Sequence, residues 1–164
     1  MEIRLLGTLE AQARGVVLPA PAHPQGPALL AWLALNPGEQ ERGPVAALLW
    51  PGLPRANART ELRSAVWALR RMLGPDEGLV LNRRETIGLR CSTDLQEFER
   101  LAAAGEPAAA LALCRGELLA DLGREYGWVL AARADHAARV EVLRAQLTAG
   151  EGRNAGPGDS AARA

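Results

Sequence analysis

Apolar positions divide the chain into an N-terminal part of mixed strand and helix periodicity and a C-terminal part that is purely helical. From Glu2 to Ala11, Ile3, Leu5, Leu9 and Ala11 alternate with Arg4, Thr8 and Glu10, a period of two that predicts one half-buried strand. Arg14-Gly15 offers a turn and Val16-Val17-Leu18 returns as a short partner, completing a hairpin. Pro19 to Pro27 contains four prolines and reads as a loop. Ala28 to Leu35 is apolar nearly all round, which predicts a short buried helix closed by Asn36-Pro37-Gly38, with Trp32 in the core. Pro44 is a good first helical position, so a second short helix is expected from there to Trp50 with Val45, Leu48 and Leu49 inward.

Pro51 to Asn57 separates that helix from a third, Asn57 to Leu73, on which Leu62, Val66, Leu69 and Leu73 recur at helical spacing and form one apolar stripe. Arg59, Arg63 and Arg70 project along one flank of the stripe, and Trp67, Thr60 and Arg71 carry the exposed surface round to the far side. The connection before this helix is longer than a simple helix-turn-helix turn of roughly 3 to 4 residues, so the pair is helix-loop-helix. Past Gly74-Pro75, Leu79 to Leu81 and Thr86 to Leu89 predict two short strands around Asn82-Arg83-Arg84-Glu85, a hairpin with a basic tip. The order of elements is that of a winged helix, in which the third helix enters the major groove and the hairpin tip reaches backbone or minor groove.

From Asp94 the period is helical throughout. Leu95, Phe98 and Leu101 mark the inner face of one helix stopped by Gly105. Pro107 opens another through Leu111, Leu113 and Leu118, and Trp128 to Leu147 makes a third with Val129, Val140, Leu143 and Leu147 inward. The first two resemble one tetratricopeptide hairpin, with no second copy at a period of about 34 residues. A segment this small leans on its neighbour for a core, through Trp128 or Phe98. Residues 150–164 lack apolar periodicity and are expected to be disordered. The expected fold is therefore mostly α with small β-hairpins: a winged helix over residues 1–92 and a shortened helical module over residues 93–149.

Charge sharpens this division. The formal net charge is +0, yet residues 55–90 hold 8 arginines against 4 acids, net +4, while residues 91–164 hold 8 against 11, net −3. Arg55, Arg59, Thr60, Arg63, Trp67, Arg70, Arg71, Arg83 and Arg84 fall in the positive block and are the candidate DNA-binding residues, since guanidinium groups match phosphates and guanine edges bidentately. All 19 basic residues are arginine, so part of that richness reflects coding composition rather than this site. Cys91 and Cys114 have no metal-ligand spacing, His23 and His136 lie far apart, and no nucleophile and base pair or phosphate-binding loop is visible. No enzyme, metal site or cofactor is expected. With no secretory or apolar membrane segment, the expected compartment is the cytoplasm.

Leu29 to Gly38 (LLAWLALNPG), Ala46 to Pro51 (AALLWP), Ala58 to Gly74 (ARTELRSAVWALRRMLG), Asp94 to Leu101 (DLQEFERL) and Ala110 to Leu119 (ALALCRGELL) together resemble the bacterial antibiotic-regulatory activators, the SARP family. That family joins an OmpR/PhoB-type winged helix to a tetratricopeptide-like bacterial transcriptional activation domain. The resemblance implies an activator that binds double-stranded DNA, sits as tandem protomers on direct repeats and engages RNA polymerase, with no membrane partner. Glu61 stands where the family pattern leads one to expect a small polar residue, and the segment before the first helix lacks the usual basic residues. The alternative reading is a protein-interaction adaptor whose winged helix no longer binds DNA.

Overall fold

The computed structural model describes residues 1–74 and 79–154, with residues 150–154 given as helix backbone. Along it run β1 (Glu2–Arg4), β2 (Glu10–Ala13), β3 (Val16–Val17), α1 (Gly26–Leu35), β4 (Gly38–Glu41), α2 (Arg42–Leu49), α3 (Arg55–Leu73), β5 (Val80–Asn82), β6 (Thr86–Leu89), β7 (Ser92–Thr93), α4 (Asp94–Ala103), α5 (Pro107–Ala112) and α6 (Gly127–Asn154). The strands make two small sheets, ordered β3-β2-β1-β7 and β4-β6-β5, antiparallel except for the parallel β1–β7 pair. Helix α3 packs on α1 and α2, and the β5–β6 hairpin follows it as the wing.

Several elements differ from the sequence expectation. The single strand expected over Glu2 to Ala11 is two, because the backbone at Leu5 and Leu6 is taken sideways: their N–H groups donate to the Asp94 carboxylate at 2.7 and 3.1 Å. On the other side of the same backbone, the carbonyls of Leu5, Leu6 and Gly7 accept from the amides of Leu119, Arg115 and Ala120. Leu5 and Leu6 are consequently both fully buried, which a period of two cannot give. The same bonds end α5 at Ala112 rather than near Leu118, since Leu118 bridges to Leu6 and Gly7 instead of continuing a helix.

Strand β4 has no apolar signal; Gly-Glu-Gln-Glu pairs with β6 because Gly88 lets the two backbones close up. A Cβ at Gly88 would lie 2.5 Å from the Gly38 carbonyl oxygen. Helix α2 begins at Arg42, two residues before the expected Pro44, which still falls in the first turn where its missing N–H costs nothing. Helix α1 similarly starts at Gly26 and α3 at Arg55. Strand β7 was not legible from two residues. Of the expected disordered tail, residues 150–154 continue α6, and residues 155–164 lie outside the described residues.

Thr93 and Gln96 close a capping box at the start of α4. From there the helical segment is joined to the N-terminal part by one continuous core: Phe98, Leu118, Leu119 and Val129 bury among Ile3, Leu5, Leu29 and Leu33. Trp128 meets Trp32 edge-on at 5.4 Å, the Tyr126 hydroxyl donates to Gln25, and the Leu9 amide donates to Asp121 at 2.8 Å. Arg133 reaches back from α6 to the carbonyls of Leu118 and Leu122 at 2.8 and 2.9 Å, satisfying loop acceptors that have no ladder partner. No helix among the described residues is long and apolar enough to cross a membrane.

His136 of α6 is buried against the Phe98 ring, at 4.8 Å, and its Nε2 lies 3.7 Å from Cys114 Sγ. Burial holds this imidazole below its ordinary 6.5; Glu99 and Asp94 oppose that shift and Arg139 adds to it. Folded protein therefore favours the neutral ring, while unfolded chain takes up a proton below about 6.5. The stability that His136 contributes is present above that value and is lost as pH falls through the lower folded-state value. Between about pH 8 and about pH 5, the wild-type chain should lose stability more steeply than His136→Leu in denaturant melts. Parallel pH profiles would contradict this.

Candidate nucleic-acid interface

Helix α3 exists because Ala58, Leu62, Ala65, Val66, Leu69 and Leu73 bury one face of a 19-residue segment. Gly74, at φ +77°, ends it. The other face is open. At about 100° per residue, Arg59, Arg63 and Arg70 fall within about 40° of one another, with Trp67, Thr60 and Arg71 further round the exposed arc. Arg70 and Arg71 also sit in the last turn, where a positive charge suits the helix dipole.

Each candidate residue has a definite setting. The Arg63 guanidinium donates to Thr60 Oγ1 at 2.9 Å, and Thr60 donates in turn to the Ala56 carbonyl at 3.1 Å, so the pair is braced on the helix surface. No carboxylate among the described residues pairs with Arg63. Trp67 is 61% exposed and carries the Arg71 guanidinium 4.9 Å above its ring. Arg70 shares a groove of about 360 Å³ with Val80, Asn82 and Arg83 along the wing. Arg55 and Arg59 line a larger cleft, about 610 Å³, between α2 and α3.

On the wing, Arg84 is 95% exposed and its Nε lies 3.6 Å from Glu85; Arg83 Nε is 2.8 Å from Glu39. The Thr86 hydroxyl and then Arg83 hold the Glu39 carboxyl below the usual carboxylate range. Glu85 reaches the arginine face of α3 as well, with Oε2 3.7 Å from Arg59 Nη2.

Arg42 belongs to this cluster and was absent from the sequence-derived set. Its amide donates to the Glu85 carbonyl at 3.0 Å and its Nη1 donates to Asn82 Oδ1 at 2.9 Å, stitching the start of α2 to both sides of the wing tip. Partial burial, then the positive charges of Arg63 and Arg59, lower its affinity for a proton, which places the three guanidinium groups in mutual repulsion. The signal was hidden because Arg42 follows Glu39 and Glu41 in a net acidic stretch and joins the other arginines only once α2 starts at that residue.

Glu61 does not intrude on the face. Two residues from both Arg59 and Arg63, it lies about 200° round the helix and pairs with His23 Nε2 at 3.4 Å, beside the edge of Trp50.

The described residues thus form a three-helix unit with a wing, whose exposed helix and wing tip carry arginines side by side. Among solved structures, the fold is similar to that of EmbR from Mycobacterium tuberculosis, determined in complex with a low affinity phosphopeptide, with a TM-score of 0.73 and 25% sequence identity. The match covers 87% of this chain and 43% of that one, so the chain spans less than half the length of EmbR. No family model and no curated protein matches the sequence.

Proposed function

We propose that the chain, with its EmbR-like winged-helix fold, is a sequence-specific DNA-binding transcription regulator in which α3 enters the major groove and the wing rests on the sugar-phosphate backbone. The observation that carries this reading is the alignment of Arg59, Arg63 and Arg70 on one open helix face beside Arg83 and Arg84 of the wing. Arg63, braced by Thr60 and free of any carboxylate among the described residues, is the best placed to read a guanine edge. Arg55, Arg71 and Arg84 supply phosphate contacts, which position the protein without specifying sequence. Following the SARP resemblance, the acidic helical layer of α4 to α6 serves as a tetratricopeptide-like activation module toward RNA polymerase, with protomers in tandem on direct repeats.

The wing provides a test that leaves base reading aside. Arg83 is already paired with Glu39, so replacing both Arg83 and Arg84 with alanine should remove nearer one phosphate contact than two. In gel-shift titrations the double variant should bind every duplex more weakly by a similar factor, with the slope of log affinity against log salt flattened by about 0.9 for each phosphate no longer neutralised. An unchanged slope would make the wing a solvated turn. Salt-insensitive or absent binding by the wild-type chain would favour the adaptor reading instead.

A further inference from the structure

Arg59 of α3 and Arg84 of the wing share one acid, beside the point where Arg42 ties the start of α2 to the wing tip. The Glu85 carboxylate lies 3.7 Å from Arg59 and 3.6 Å from Arg84, while the Glu85 backbone carbonyl is fixed by the Arg42 amide. Glu85 is exposed and makes no other ion pair among the described residues, so nothing but these arginines holds its side chain in place. The backbone around it is firm, because Arg42 also grips Asn82 across the tip. A single carboxylate in this position has the charge of one phosphodiester, and it lies between an arginine of α3 and an arginine of the wing.

We propose that Glu85 is the resident counter-ion shared by Arg59 of the helix and Arg84 of the wing, a phosphate surrogate that a DNA phosphodiester must displace. The inference rests on the DNA-binding reading above and adds to it a cost common to all duplexes. Because that cost arises on any sequence, non-specific binding is held down by Glu85, and stable complexes require the base contacts of Arg63 in addition. Replacing Glu85 by glutamine keeps the shape of the wing tip and removes the charge. One more phosphate is then neutralised by arginines that no internal acid satisfies, and exposed charge pairs of this kind set the scale at about threefold in affinity.

The experiment compares the full wild-type chain with Glu85→Gln, and with Glu106→Gln at the α4–α5 turn as a control, on one duplex selected for tight binding and one of scrambled sequence, across a range of salt. Glu85→Gln should bind both duplexes about threefold more tightly at low salt, with a salt slope steeper by up to about 0.9, and should leave the ratio between the duplexes unchanged. Glu106→Gln should match wild type. Weaker binding by Glu85→Gln would mean that the carboxylate positions Arg59 for contact, and equal binding would mean that it is a solvated acid; either overturns the inference while leaving the DNA-binding reading intact. No binding by wild type or variant would overturn both.

Discussion

Asp94→Ala is expected to destabilise the protein by about 3 kcal/mol, more than any substitution on the arginine face. Its side chain is 9% exposed and accepts from the amides of Leu5 and Leu6 and from the Arg115 guanidinium at 2.9 Å. Alanine would leave two backbone donors without partners in the break between β1 and β2, each costing about 1 to 3 kcal/mol. The Arg115 contribution is smaller, since that guanidinium is partly solvated. Urea titration should show a lowered midpoint at constant slope, with Asp94→Asn intermediate because an amide oxygen can still accept. A loss below about 1 kcal/mol would mean that apolar contacts alone hold the helical layer to the N-terminal sheet.

On a selected duplex, Arg63→Ala is expected to weaken binding by about 1 to 3 kcal/mol, about fivefold to 150-fold, and to blur preference at one base position. The reason is local. Arg59, Arg83 and Arg84 each have an acid nearby, whereas Arg63 has only the Thr60 hydroxyl, so its charge and remaining donors are available to a ligand. Thr60→Ala should reproduce part of the effect by releasing the guanidinium from its brace. Arg139→Ala is the control: that residue pairs with Glu99 at 2.8 Å in the helical layer. If Arg63→Ala keeps both affinity and base preference, α3 is not the reading helix.

Helix α3 was legible because its apolar stripe is long: Leu62, Val66, Leu69 and Leu73 fix its phase, and the phase fixes which arginines share a face. The wing was legible for a similar reason, two short apolar runs around a polar tip. What the sequence hid was set by long-range backbone pairing. Leu5 and Leu6 look like part of one alternating strand until the partner 88 or 89 residues away supplies a carboxylate. Leu118 looks helical until it bridges to Leu6 and Gly7. The polar strand Gly38 to Glu41 gains its identity from Gly88, and through it α2 starts early enough to deliver Arg42. Glu39 was invisible as the counter-ion of Arg83 for the same reason, since pairing across 44 residues leaves no local pattern; so was the reach of Glu85 back to Arg59.

The most direct measurement is selection of genomic fragments by the 164-residue chain, followed by salt titration on the enriched fragments. If α3 and the wing read DNA, the selected fragments share a recurring sequence, and affinity falls steeply and linearly on a log–log plot as salt rises. Recovery of fragments with no common sequence, bound no more tightly than bulk DNA at any salt concentration, would contradict the account.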